Sequence, residues 1–360
     1  MCAFIFLCFA VASPSHDDIF DAIVTNREAI RALKVHTITT RTLPNVQVVN
    51  KVLYLDVDAQ RWRMDTTGPM PLNTSIAADK RPEFVKKIGV SDSHVYQYFP
   101  FDPRRVATVE SLNKPNNPNF FDSFTPFPDP RNAGLVHVFH GNTGTPFEVG
   151  GTRISIYTGQ LEPHKGEKVE IESANWKGVP CYKGKWEWQL DGPKSEKVVR
   201  QYVVVPEWGY TVVFLESKVY RENEASPYST YSVETEASLE RKSKIWFPTR
   251  VHYLATMDGK ATQDELTEFE LVSLNEPMQE TEFNFKGMEV PIGHAVVDFI
   301  EHSPSKAWDG NKVVASERRE PPLSTTFKFS AIRQWLLIFT SILVLCLAVA
   351  VWKKGNRRCL

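Results

Sequence analysis

Apolar and polar side chains alternate at every second residue over most of the chain, and this period constrains the fold more than any other feature. About fourteen segments between residues 36 and 274 carry it and are rich in Val, Ile, Thr, Tyr and Trp. Short turn sequences join several segments, at Asp191–Pro193, Pro206–Gly209 and Met257–Lys260. Strands joined in series by tight turns pair antiparallel. The sequence therefore predicts a large, curved antiparallel sheet or half-open β-barrel.

Helical signals are few. Within residues 17–33, the side chains of Ile19, Ile23, Ile30 and Leu33 recur at close to the period of an α-helix, and Ser15 or Asp17 can cap its start. A weaker helical signal covers residues 82–88. The expected fold class is therefore mainly β with an N-terminal helix, formally α+β.

The predicted strand at residues 182–190 has one polar, solvent-facing side and one apolar side. The apolar face carries Tyr182, Trp186, Trp188 and Leu190, and the opposite face carries Lys183, Lys185, Glu187 and Gln189. The later segment Lys197–Val205 is largely apolar on both faces, so it needs cover on both from another sheet, a helix or a bound apolar ligand. We take the four residues of the first segment as the candidate face of an apolar cavity.

A loop rich in Pro, Asn and Phe interrupts the strand pattern at residues 112–134. Phenylalanine side chains in an otherwise polar loop must be buried somewhere. The loop either packs back onto the sheet or forms the lip of an apolar cavity. The candidate lip residues are Phe120, Phe121, Phe124 and Phe127.

Both ends of the chain are hydrophobic. Residues 335–352 contain no charge, Gly or Pro and would span roughly 27 Å as a helix, close to the ~30 Å of a bilayer core. Tryptophans stand at both ends of this segment, and four basic residues follow it. The positive-inside rule places that tail in the cytoplasm. The N-terminus ends an apolar run with Ala10–Ala12, as signal peptides do, and an uncleaved N-terminal anchor is the alternative.

These features give an expected organisation for the whole chain. The protein is expected to be a single-pass membrane protein with its body in the periplasm or an equivalent extracytoplasmic space. The expected parts are a signal peptide (1–14), a β domain (15–302), a polar stalk (303–334), a transmembrane helix (335–352) and a basic cytoplasmic tail (353–360).

Motifs for catalysis, cofactors and metals are missing from the sequence. The formal net charge is −1, with no basic stripe in the body, which argues against nucleic acid as a partner. Cys181 is the one cysteine of the hydrophilic body, so an internal disulfide there is excluded. There is no G-x-S-x-G, no H-E-x-x-H and no phosphate-binding glycine loop. His137 and His140 are three residues apart, which would place them on opposite faces of a strand. We predict no catalytic residue, no cofactor and no metal site.

Three stretches resemble the LolA/LolB-like superfamily of periplasmic lipoprotein and lipid carriers. The first is the strand–turn–strand sequence Tyr202–Tyr210 (YVVVPEWGY), the second is Ile245–Val251 (IWFPTRV), and the third is Glu268–Pro277 (EFELVSLNEP). The likeness covers roughly residues 17–299. It implies a half-closed β-barrel around an apolar cavity, with helices as a cap. It also implies non-covalent shielding of acyl chains during transfer.

A membrane anchor departs from that pattern, because soluble carriers cross the periplasm and a tethered one cannot. The leading hypothesis is a non-catalytic, membrane-anchored protein that binds lipid or lipoprotein acyl chains. One alternative is an envelope sensor or scaffold that binds protein partners through its sheet. Another is a hydrolase without a recognisable local motif.

Overall fold

The computed structural model describes residues 14–43, 46–69, 83–91, 94–100, 106–111, 129–135, 167–190, 196–222, 224–300 and 303–316. These residues lie almost entirely in the first of two compact units, 1–314 and 315–360. Within them the chain forms one α-helix, three short 3-10 helices and one sheet of sixteen strands.

The helix α1 (His16–Glu28) begins where the sequence indicates. Ser15 is the N-cap, its hydroxyl accepts from the Asp18 backbone N–H, and the Asp18 carboxylate accepts from the Ser15 backbone N–H. The helix ends before Ile30 and Leu33, although both side chains are fully buried. The predicted helix was therefore too long at its C-terminal end. Ile30 lies in the loop after the helix and Leu33 in the strand that follows, and both side chains still pack in the same apolar core.

The strands follow one another in two antiparallel series. Their bounds are β1 (Ala32–Leu43), β2 (Gln47–Asp56), β3 (Arg61–Pro69), β4 (Glu83–Ser91), β5 (His94–Tyr98), β6 (Val106–Ser111), β7 (Glu170–Trp176), β8 (Val179–Leu190), β9 (Glu196–Val205), β10 (Thr211–Tyr220), β11 (Ser229–Glu240), β12 (Ile245–Met257), β13 (Lys260–Leu274), β14 (Ala295–Asp298), β15 (Ser303–Trp308) and β16 (Val313–Ala315).

Pairing of β1 with β13 joins the two series into one sheet. The first series runs β1 to β6 outward on one side, and the second runs β13 back to β7 on the other. The order has two ends, β16 and β7, so the sheet of the described residues is open rather than a closed barrel. Strand β14 pairs parallel with β6, an exception to the expected antiparallel pattern.

The sheet curves around α1. We call the face that packs on α1 the inner face and the opposite one the outer face. The inner core unites α1 with strands from β5 at one side to β8 at the other. Ten strand spacings of about 4.8 Å would make a flat sheet far wider than a 13-residue helix of about 20 Å is long. A shared core across that width requires a concave sheet.

Two smaller clusters cover parts of the outer face. One lies on β5 and β6 and contains Phe285, Met288 and Trp308 from the segments beside it. The other lies on β9 and β10, around Val203, Val205 and Val213, with Trp176 and Trp208 against it. The two-sided apolar pattern of β9 is thus explained by packing on both faces.

Two other expectations differ from the structure. Residues 82–88, which carry a weak helical signal, belong mostly to strand β4. Ile88 and Val90 alternate there as fully or almost fully buried inner residues, and pairing with β3 and β5 overrides the local signal. The sheet also continues past residue 302, the expected end of the β domain, because β15 pairs with β14.

The turn predictions at two hairpins are confirmed. Pro206–Trp208 forms a 3-10 turn between β9 and β10, and Gly209 follows with φ 62°. Between β12 and β13, Asp258 and Gly259 have φ 49° and 73°. Positive φ at both central residues is the requirement of the tight hairpin that Asp-Gly favours.

Candidate functional site

The candidate site is the inner face of the sheet on the side of β8 and β9. Helix α1 lies there with its first turn against the sheet. His16 Nδ1 is 2.9 Å from the Tyr202 hydroxyl, and the His16 ring is 6.3 Å from the Trp186 ring between centroids. Burial strongly raises the pKa of Tyr202, so this hydroxyl stays protonated at neutral pH. The start of α1 is therefore held by an aromatic and polar contact.

The residues of the candidate cavity face share one side of β8, and we call this side the wall. Tyr182, Trp186 and Trp188 all contact the inner core, as their shared strand face predicts. Exposure increases along the strand, from 2% at Trp186 to 40% at Leu190. The wall is thus core at Trp186 and exposed apolar surface at Leu190.

Gly184 lies between these residues on the same strand face, and it has no side chain to project there. Its cross-strand partner is Tyr202. A Cβ atom at Gly184 would collide with the Tyr202 ring, because that ring crosses over the glycine. The glycine lets the ring lie flat on the wall, beside Trp186 at 6.0 Å between centroids.

Beyond Tyr202 the wall becomes polar. Arg200 pairs with Trp186 on one side and Ser217 on the other, and Ser217 pairs with Tyr231. The Arg200 guanidinium lies 4.9 Å from the Trp188 ring centroid and donates to the Tyr231 hydroxyl at 2.9 Å. A cation therefore lies on the inner face at the edge of the apolar wall.

The middle of the inner face carries buried polar groups at the end of the strands away from α1. Arg41 pairs with Glu265, which is 4% exposed, and Gln263 donates to the same carboxylate at 2.7 Å. Thr39 and Thr267 hydroxyls are 3.0 Å apart. Burial, with the Glu265 charge as a second cause, raises the pKa of Tyr253 to about 12. The inner face is thus amphipathic, apolar under α1 and polar further along.

Open pockets on the outer face are polar. One of about 610 Å³ is lined mainly by charged and amide side chains of β8 to β10, including Lys185, Glu187, Lys197 and Glu216. Lys197 pairs with Glu187 at 2.8 Å. A second pocket of about 370 Å³ contains His252 and Asp264, 2.8 Å apart. The first pocket is balanced in charge, and the second carries three carboxylates against one arginine and one histidine, so neither is a mainly apolar wall for an acyl chain.

Chemistry based on metal or thiolate finds no support in the described part of the chain. No group of three or more His, Cys, Asp or Glu is placed there to hold a metal ion. Cys181 is buried, and burial raises the pKa of its thiol, which disfavours the reactive thiolate.

Several predicted features lie outside the described residues. They are the lip residues Phe120, Phe121, Phe124 and Phe127, the histidines His137 and His140, the signal peptide and the segment 335–352. Among the helices that the structure describes, none has the length and apolarity needed to cross a membrane.

The polar residues of the inner face were not predicted from the sequence. Arg41, Lys51, Arg200 and Glu265 lie on the same strand faces as core residues, as Lys51 does two positions before Leu53. The sequence pattern did show charged residues at core-facing strand positions, where burial of a charge costs free energy. The order of residues along the chain could not show that the two strand series bring these residues onto one concave surface.

Comparison with known proteins returns solved structures only. No family model matches the chain, and no curated protein does. One solved structure is a LolA superfamily protein from Nitrosomonas europaea, with 7% identity, 76% of this chain and 98% of that chain covered, and a TM-score of 0.33. Another is a DUF1329 family protein from Desulfovibrio piger, with 9% identity, 76% and 99% covered, and a TM-score of 0.37. The first of these proteins belongs to the superfamily that the sequence resembles.

Proposed function

We propose that the protein is a non-catalytic, membrane-anchored, extracytoplasmic protein that binds the acyl chains of a lipid or lipoprotein on the inner face of its sheet. The observation that carries the proposal is the wall on β8. There the apolar side chains on one strand face run from Trp186 and Trp188, at the inner core, to Leu190, which is 40% exposed to water.

An acyl chain complements that wall physically. Burial of a methylene group is worth about 0.8 kcal/mol, so a chain lying along Tyr182, Trp188 and Leu190 gains affinity without a specific polar contact. The concave sheet offers contact from several strands at once. Trp and Tyr rings provide large, rigid contact area at little cost in side-chain entropy.

The proposed location is supported by sequence pattern. Residues 335–352 are long and apolar enough for a membrane span, and the basic tail after them favours the cytoplasmic side. A tethered binding protein of this kind would hand lipid on locally or respond to its presence.

Native mass spectrometry of the full chain, released gently from its own membranes, tests the proposal. We expect bound species whose added mass corresponds to acyl lipids. The variant Trp188→Gln/Leu190→Gln should lose most of this occupancy, because two amides interrupt the apolar wall.

A matched control places glutamines on exposed aliphatic positions away from β8. Val48 and Val272 are 43% and 55% exposed, so Val48→Gln/Val272→Gln changes surface polarity without touching the wall. Occupancy should stay at the wild-type level in this control. A wild-type chain that never carries acyl mass, or equal losses in both variants, would contradict the proposal.

A further inference from the structure

Two lysines lie in one cross-strand row of the inner face. Lys86 on β4 pairs with Thr66 on β3, Thr66 pairs with Lys51 on β2, and Lys51 pairs with Thr37 on β1. On its strand, each of the four residues lies an even number of positions from a buried core residue, as Lys51 does from Leu53. All four side chains therefore project to the inner face. We call this set the lysine row.

Both lysines are close enough to share one ligand. They are separated by a single strand, so their Cα atoms are roughly 10 Å apart. Each ammonium stands on a flexible four-carbon stem, and together the stems can span that separation. Two threonine hydroxyls stand in the same row and add two further donors.

No carboxylate in contact neutralises Lys51. Among the described residues its ammonium forms no hydrogen bond or ion pair, and the carboxylate that acts on it from a distance is Glu265. Glu265 is already bound by Arg41 and Gln263. Burial lowers the pKa of Lys51 and of Lys86 to about 8 in each case. The lysine row therefore holds positive charge in a poorly solvated place.

An independent observation points to a ligand at the same row. The Thr37 side chain is 1% exposed, and its Oγ1 has no hydrogen-bond partner among the described residues. A buried hydroxyl without a partner costs about 1–3 kcal/mol, which a bound acceptor would offset. A hydroxyl that needs an acceptor thus lies next to an ammonium that needs an anion.

We propose that the lysine row binds the phosphate monoester of a phosphatidic acid whose acyl chains lie on the inner face. The inference rests on the proposed function and adds the class of headgroup. A phosphate monoester carries more than one charge and three acceptor oxygens, which match two ammonium groups and the adjacent hydroxyls. A carboxylate offers one charge and two oxygens, so it would leave donors of the row unmatched.

The test compares lipids that differ in the phosphate and share their acyl chains. Dioleoyl phosphatidic acid and dioleoylglycerol are titrated separately into the full chain in neutral detergent at pH 7. We expect phosphatidic acid to bind at least about tenfold more tightly than dioleoylglycerol, because only phosphatidic acid has a phosphate that the lysine row can bind. Oleate, which supplies a carboxylate, should compete poorly with phosphatidic acid.

The variant Lys51→Met/Lys86→Met removes both charges and keeps long, flexible side chains suited to an apolar face. Its preference for phosphatidic acid should fall about tenfold or more, while its affinity for dioleoylglycerol stays within about twofold. Retained dioleoylglycerol binding also shows that the variant is folded. The control Lys183→Met/Lys185→Met alters two lysines on the opposite face of the sheet, on β8, and should bind both lipids as the wild type does.

Each result separates the two proposals. Equal binding of both lipids by the wild type, or an unchanged preference in Lys51→Met/Lys86→Met, overturns the phosphate inference and leaves acyl binding standing. Equal competition by oleate overturns the assignment to phosphate. Failure of every lipid to bind overturns the proposed function and the phosphate inference together.

Discussion

Single residues on the inner face work against the stability of the ligand-free protein. Lys51 lies on the same face of its strand as Leu53 and Leu55, both fully buried. Burying a charge costs free energy unless partners compensate it. Glu265 has such partners in Arg41 and Gln263, whereas Lys51 has no contacting anion among the described residues. The lysine row therefore lowers stability at neutral pH.

This cost gives a pH dependence with a definite sign. Lys51 and Lys86 have a folded-state pKa of about 8 against 10.5 for the free side chain. Between these values the unfolded chain binds more protons than the folded protein, so raising the pH favours folding. The free energy of unfolding should rise by about 1 to 2 kcal/mol per lysine between pH 7.5 and 9.5. Chemical denaturation at several pH values measures it.

The control for this prediction is Lys51→Met/Lys86→Met, measured over the same pH range. Cys181 and the tyrosines, whose pKa values are raised by burial, lower stability at high pH in both proteins and cancel in the difference. The difference in unfolding free energy between wild type and variant should change with pH. A constant difference would show that the two lysines are not desolvated.

At the scale of elements, α1 depends on its first turn. The Ser15–Asp18 capping box satisfies backbone N–H groups at the start of the helix, and Ile19 and Ile23 anchor it in the inner core. Since the helix covers the apolar part of the concave face, fraying of its start would uncover core. The cap should therefore contribute to global stability.

Substitution Ser15→Ala tests this contribution. We expect a loss of about 1 kcal/mol in the free energy of unfolding, the usual cost of removing an N-cap hydroxyl. Ser238→Ala, which changes an exposed serine on β11, should alter stability by less than about 0.5 kcal/mol. Denaturant titration of both variants gives the comparison. Similar small effects at the two positions would mean that the helix start is not held by its cap.

Elements were the level at which sequence was most informative. Alternation placed strands such as β8 (Val179–Leu190) correctly, because one side of the strand packs on the inner core. It failed at β4, where apolar residues at Val85 and Ile88 imitate helical spacing and only pairing with β3 and β5 decides. Alternation also predicted that the residues of the wall on β8 share one face. It could not show which of them remain exposed to solvent, because that depends on the tertiary contact with α1.

At the scale of the whole molecule, one pairing holds the sheet together. The β1–β13 ladder joins strands from opposite ends of the described chain, and it is the connection between the two antiparallel series. Loss of this pairing would separate the inner core into two parts, and each part would lose the apolar side chains that now pack against it from the other. The edge strands β7 and β16 can open without that consequence.

Amide hydrogen exchange of the full chain should therefore rank the strands by position in the sheet. Opening of β1 and β13 requires global unfolding, so their amides should exchange slowest, near the rate that global stability sets. Amides of β7, which among the described strands pairs with β8 alone, should exchange through local opening at least about tenfold faster. Mass spectrometry of peptides from residues 32–43, 260–274 and 170–176 measures this directly. If the β13 peptide exchanged as fast as the β7 peptide, the two series would be independent units, and a ligand surface shared across the whole inner face could not persist.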